Sequence, residues 1–151
     1  MILEHVGITI SDLEKSIRFY TAVFGFSVLR KGTTNAYLYQ DNELLELMQG
    51  DPSTATPRPR TPEAWQEYMH SAVGAIHLGF RVDDMDEAIQ EIVALGGELV
   101  APPIEYTPAI EYVAEAVDDK LRRAAKPIEK PYWRIAKFCD PDGVMLEILE
   151  R

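Results

Sequence analysis

Asp140-Pro141-Asp142-Gly143-Val144-Met145-Leu146-Glu147-Ile148-Leu149 closes the chain, and its reading decides the fold. Asp-Pro-Asp-Gly is a turn signal. The apolar run behind it has the period of a strand, with Glu147 in the middle. A carboxylate inside an apolar strand is costly to bury without a partner. The rest of the chain supplies candidates.

Working outward, a second copy of this stretch lies 101 residues upstream. Asp41-Asn42 falls on Asp142-Gly143, and Leu44-Leu45-Glu46-Leu47 on Met145-Leu146-Glu147-Ile148. Earlier in each copy the offset is 72. His5 falls on His77, Gly7 on Gly79, Leu13 on Met85, Ile17 on Ile89, Gly25 on Gly97 and Val28 on Val100. The chain is therefore an internal repeat. The difference of 29 residues is an insertion in the second copy, between about 102 and 130.

Each copy reads as strand, helix, then three strands. Residues 2–10 alternate, with Val6, Ile8 and Ile10 on one face and His5, Gly7 and Thr9 on the other. Ser11 with Glu14 reads as a capping box for a helix carrying Leu13, Ile17, Tyr20 and Phe24, ended by Gly25. Strands follow over 26–30, 35–40 and 43–49, the last two joined by a turn at Asp41-Asn42. In the second copy, 75–82 is a strand and Asp83 a candidate cap for a helix bearing Met85, Ile89 and Ile92. Gly96-Gly97 closes that helix, 98–101 starts a strand, and 132–139 resumes the sheet.

The fold class predicted is α+β: two β-α-β-β-β modules over 1–50 and 75–151. Between them, 51–74 is a Pro/Thr/Ser-rich linker with a short helix opened by Thr61-Pro62 and faced by Trp65, Tyr68, Met69 and Ala72. His70 lies off that face and reads as a solvated surface residue. The insertion reads as an amphipathic helix after Thr107-Pro108, carrying Ile110, Val113, Ala114, Val117, Leu121 and Ala125. It and the linker helix are expected near the mouth of the cup or at a subunit interface.

The repeat relates two pairs, His5 with Glu46 and His77 with Glu147, each on the strand face away from the helices. Taken singly, either histidine reads as a hydrogen-bonded core residue, and Glu46 as an outward glutamate. Both pairs at equivalent positions point to a use for them. Two imidazoles and two carboxylates suit a divalent ion (Ni, Zn, Co, Mn or Fe). Arg81 shares a face with His77 and Gly79, and either meets a substrate carboxylate or pairs with a neighbouring acid. Tyr132 and Trp133 either wall the cavity or fill core.

Composition bounds the partners. A net charge of −10 over 151 residues argues against nucleic acid and anionic membranes. The lone cysteine, Cys139, excludes an internal disulfide and fits a reducing cytoplasm. The N-terminus shows no signal-peptide pattern, and no apolar run approaches a membrane span.

Three groups of residues carry a resemblance. They are Glu4-His5-Val6-Gly7-Ile8 leading to Phe19-Tyr20 and Phe24-Gly25-Phe26, then Ile76-His77-Leu78-Gly79-Phe80, and Asp140-Pro141-Asp142-Gly143 leading to Glu147. In these the chain resembles the vicinal oxygen chelate superfamily, the glyoxalase/bleomycin-resistance/dioxygenase fold. The resemblance implies a cupped, mixed sheet around one metal, a homodimer, and a small-molecule substrate with two vicinal oxygens. The His-Glu-His-Glu set resembles that of glyoxalase I. It implies a metal-dependent lyase or isomerase that abstracts a proton next to a chelated carbonyl through an enediolate, with Glu147 as base and Glu46 its symmetric counterpart. Methylmalonyl-CoA epimerases, ring-cleaving dioxygenases and non-catalytic binding proteins of the superfamily are the alternatives. Typical glyoxalase I chains lack an insertion like 102–130, and no glutathione-contacting residue stands out here.

Overall fold

A computed structural model describes residues 3–54, 59–71, 77–106 and 133–150. Its elements run β1 (Val6–Ile10), α1 (Leu13–Phe24), β2 (Ser27–Lys31), β3 (Asn35–Gln40), β4 (Glu43–Gln49), α2 (Pro62–Ser71), β5 (Leu78–Val82), α3 (Met85–Ala94), β6 (Glu98–Tyr106), β7 (Trp133–Cys139) and β8 (Met145–Glu150). They form two four-stranded sheets, ordered β1-β4-β3-β2 and β5-β8-β7-β6. In each, the first strand pairs parallel with the last and the other pairings are antiparallel. The α+β architecture and the repeat are as the sequence led us to expect. The expected inserted helix lies at residues outside those described.

The turn chemistry explains the registers. Asp41 and Asn42 both take positive φ, 48° and 75°, the twist a two-residue hairpin needs between β3 and β4. In the second sheet the turn is longer. Asp140 Oδ1 accepts from the amides of Asp142 and Val144 at 2.9 and 2.8 Å, and Gly143 takes φ 82°. That places Cys139 opposite Met145 and Lys137 opposite Glu147.

Three details depart from the sequence reading. Asp12, not Ser11, caps α1: its carboxylate accepts from the Lys15 amide at 3.0 Å. Ser11 Oγ is drawn away because it donates to Asp142 of the other half. Asp84, not Asp83, caps α3, accepting from Asp86 and Glu87 amides. Strand β6 continues to Tyr106, so residues 102–106 belong to the sheet. This edge strand carries register shifts around Ala101 to Ile104, where Pro102 and Pro103 withhold ladder donors.

One hydrophobic core is shared by both halves. Leu38, Leu45 and Leu47 from the first sheet, and Phe138, Leu146 and Ile148 from the second, bury with Phe19, Tyr20, Phe24, Met85 and Ile92 of α1 and α3. Phe24 of α1 stacks on Phe80 of β5 with ring centroids 4.0 Å apart. Polar contacts cross the same seam. The Tyr20 hydroxyl donates to Asp140 Oδ2 at 2.9 Å, and Ser16 Oγ donates to Asp142 at 3.1 Å. Both sheets thus turn apolar faces toward α1 and α3, and their other faces carry the candidate site.

Candidate metal centre

The first strand is shorter than the 2–10 expected, and His5 stands one residue before it; His5 lies with Gly7, Tyr37 and Glu46 on the outer face of the first sheet. Gly7 pairs with Glu46, and Tyr37 with Glu46, in the parallel and antiparallel ladders respectively. A methyl group at residue 7 would stand 3.1 Å from Met48 Cε, a tight contact, and 3.7 Å from Glu46 Oε2, an ordinary one, so the glycine makes room mainly for Met48. His5 Nε2 lies 3.4 Å from Glu46 Oε2. The imidazole meets Tyr37 edge-on at 5.7 Å, and its Nδ1 contacts Glu4. That hydrogen bond to Glu4 raises the His5 pKa, with the nearby Glu46 charge adding to it. The Tyr37 hydroxyl hydrogen-bonds Glu46, which raises the phenol's pKa.

The second sheet repeats the arrangement with one change. Gly79 pairs with Glu147 in the parallel ladder and Lys137 with Glu147 in the antiparallel one. His77 Nε2 lies 4.0 Å from Glu147 Oε1. Glu147 Oε2 accepts from Lys137 Nζ at 2.6 Å. The partner of the carboxylate in the last strand is therefore, first of all, a lysine that the sequence reading overlooked. The signal was available: Ala136 and Phe138 are apolar neighbours, so Lys137 must face the other way, on the Glu147 side. Trp65 of α2 was read as one residue of an apolar helix face. That face does pack, against Val100, Cys139 and Met145. Trp65 also lies beside the site, its ring 6.2 Å from that of His77 and 5.3 Å from Lys137 Nζ.

Both carboxylates are mostly withdrawn from water, Glu46 at 14% and Glu147 at 13% side-chain exposure. His77 Nδ1 is buried without a hydrogen-bond partner among the described residues. Two donors sharing one ion at about 2.1 Å stand roughly 3.0–3.4 Å apart, so the His5–Glu46 spacing fits a ligand pair. The second pair is slightly wider. Within one chain, however, the described residues form no group of three or more acid, histidine or cysteine side chains able to hold an ion. The four expected ligands lie in two separate His/Glu pairs.

Of the other candidates, His70 is exposed, as expected of a surface residue. Arg81 is also exposed and borders a cavity edged by Asp83, Asp84, Glu87 and Glu91. Tyr132 and the Trp133 side chain lie outside the described residues. No helix among those described is long and apolar enough to cross a membrane.

Comparison with known proteins gives a consistent picture. Residues 2–148 match the family model described as Glyoxalase/Bleomycin resistance protein/Dioxygenase superfamily. A "Probable lactoylglutathione lyase" of Vibrio cholerae is 29% identical, over 97% of this chain and 88% of that one. A "Lactoylglutathione lyase" of Salmonella typhimurium is 28% identical, over 99% and 93%. The fold is similar to that of a glyoxalase/bleomycin resistance protein/dioxygenase family enzyme from Burkholderia phytofirmans. The TM-score is 0.61 at 19% identity, covering 99% of this chain and 98% of the other.

Proposed function

The chain belongs to the Glyoxalase/Bleomycin resistance protein/Dioxygenase superfamily, and we propose that within it this protein is a metal-dependent lyase or isomerase of the glyoxalase I type. The observation that carries the reading is the repeated pair: in each half an imidazole Nε2 faces a withdrawn carboxylate across the first and last strands. Neither half holds enough donors alone. A second copy of the chain, related by a twofold axis, would set the first half-site of one protomer against the second half-site of the other. The working unit is then a homodimer with two four-ligand sites.

His5, Glu46, His77 and Glu147 would hold one divalent ion of the Ni, Zn, Co, Mn or Fe class. When bound, that ion polarises a carbonyl chelated through two neighbouring oxygens and acidifies the adjacent C–H. The chain's own groups do the rest. Lys137 holds Oε2 of Glu147, so Oε1, the oxygen that faces His77, would be the metal ligand and, once a chelating substrate displaced it, the atom that takes the proton and returns it to the neighbouring carbon. Glu46, held by Tyr37, is its counterpart for the opposite face of the substrate. Trp65, Val100 and Met145 make a dry wall on the Glu147 side, where electrostatic interactions act at greater strength. The Cys139 thiol, buried and outside any disulfide, is at home in a reducing compartment, which extends the reading to the cytoplasm.

Subunit complementation tests the arrangement. One variant carries His5→Ala with Glu46→Gln, and the other His77→Ala with Glu147→Gln. Each alone should neither bind metal tightly nor turn over the methylglyoxal–glutathione hemithioacetal. Mixed and reassembled, the pair should regain both, because one interface of each heterodimer then has all four ligands. Failure to regain metal binding in a verified heterodimer would overturn the shared site. Full metal binding without lyase or isomerase activity would overturn the reaction class.

A further inference from the structure

The two His/Glu pairs share a plan, and they differ in what stands behind each imidazole. A neutral histidine that gives Nε2 to a metal carries its proton on Nδ1, and an acceptor for that N–H fixes both tautomer and ring orientation. In the first half His5 Nδ1 has such an acceptor, because Glu4 Oε2 contacts it. In the second half His77 Nδ1 is buried with no partner among the described residues. The sequence carries the same difference. The 72-residue shift that brings His5 onto His77 brings Glu4 onto Ile76.

The local backbone explains how Glu4 reaches the ring. Inside a strand, neighbouring side chains point to opposite faces, and Glu4 would be turned away from His5. Both residues precede β1, however, and the ladder with β4 begins at Val6. Ahead of that ladder the Glu4 carboxylate can fold back onto the neighbouring imidazole. It takes Nδ1, while Nε2 faces Glu46 Oε2 at 3.4 Å on the other side of the ring. The edge of Tyr37, with its centroid 5.7 Å away, limits the ring further. His5 is thus held at both nitrogens, with Nε2 on the side of the candidate ligand Glu46.

We propose that Glu4 is a positioning residue of the metal centre. Its carboxylate accepts from His5 Nδ1–H and holds the ring with Nε2 presented to the ion. His5 is then the better anchored of the two histidine ligands. The proposal rests on the metal reading above and adds to it a residue outside the four ligands.

Cobalt is the probe, because chelator competition gives its affinity and its visible bands report ligand geometry. Glu4→Leu removes the acceptor and the charge, whereas Glu4→Gln keeps an amide oxygen for Nδ1–H. Groups that hold a ligand histidine from behind are worth about 10- to 100-fold in metal affinity. The Glu4 side chain is 66% exposed, and water screens it, which favours the lower end of that range. Glu4→Leu should therefore weaken cobalt binding by about tenfold and shift the visible bands. Glu4→Gln should recover part of both changes. The urea midpoint of the metal-free protein should stay where it is, because Glu4 lies outside the core. In a His5→Ala background, Glu4→Leu should alter cobalt affinity by less than about twofold, since the residue through which it acts is gone. Cobalt affinity and bands like those of wild type in Glu4→Leu would overturn the proposal and leave the metal site standing. So would an equal loss in the His5→Ala background, or a loss matched by a lower urea midpoint. Wild-type protein that takes up no cobalt would overturn the metal reading, and this proposal with it.

Discussion

Replacing Asp140 by Asn should flatten the dependence of stability on pH. Asp140 is 2% exposed, and burial raises its pKa from 3.8 to about 6 despite hydrogen bonds from the Val144 and Asp142 amides and the Tyr20 hydroxyl. The folded state therefore holds this proton more tightly than the unfolded state. Stability from this group is fully present below the unfolded pKa and is lost as pH rises through about 6. A shift of about two units corresponds to about 3 kcal/mol in full, and about 2 kcal/mol of it falls between about pH 4.5 and about pH 7.5. Asparagine mimics the protonated acid. Its Oδ1 can keep both amide donors, and the Tyr20 hydroxyl can turn to accept from Nδ2. Urea unfolding of both proteins across that range, followed by tryptophan fluorescence, gives the two stability profiles. The gap between them should shift by about 2 kcal/mol in favour of Asp140→Asn as pH rises. Parallel profiles would refute the reasoning and show that the three hydrogen bonds fully compensate burial.

Other outcomes follow from the seam, the hairpin and the site. Phe24→Ala removes the ring stacked on Phe80 and should cost about 3–5 kcal/mol in denaturant unfolding. Asn42→Gly relieves a positive φ of 75° in the β3–β4 turn and should raise stability by about 0.5–1 kcal/mol, read as a higher Tm. Glu147→Gln should abolish turnover while metal is still taken up, measured by metal content beside activity. Wild-type rates in that variant would remove Glu147 from the proton transfer.

How much of this was legible beforehand depended on whether the cause was local. The strands at 35–40 and 43–49 and the turn between them came out as read, because Asp41-Asn42 and the period-two pattern decide them within a few residues. The cap of α1 did not. Ser11 has the right chemistry for it, but Asp142, 131 residues away, competes for its hydroxyl, and local spacing cannot register a rival that distant. The site divides in the same way. The His/Glu pairs were visible because the repeat marks them twice. Lys137 and Trp65 occur once each, and their role depends on a hairpin register and on where α2 docks. The four residues expected together in one chain lie as two separate His/Glu pairs, because the shared core takes the inner face of each sheet and the pairs stand on the other.

The seam between the halves is made of side chains rather than of the linker that joins them. Phe24 against Phe80 supplies the attraction, while Ser11, Ser16 and Tyr20 against Asp140 and Asp142 fix which atoms meet. The described end of the joining segment adds to it: Arg60 pairs with Glu98, and the Pro59 carbonyl accepts from Cys139 Sγ. The protein thus resembles an ancestral homodimer joined end to end. The turn aspartates cannot drift without uncoupling one half's register from the other's position.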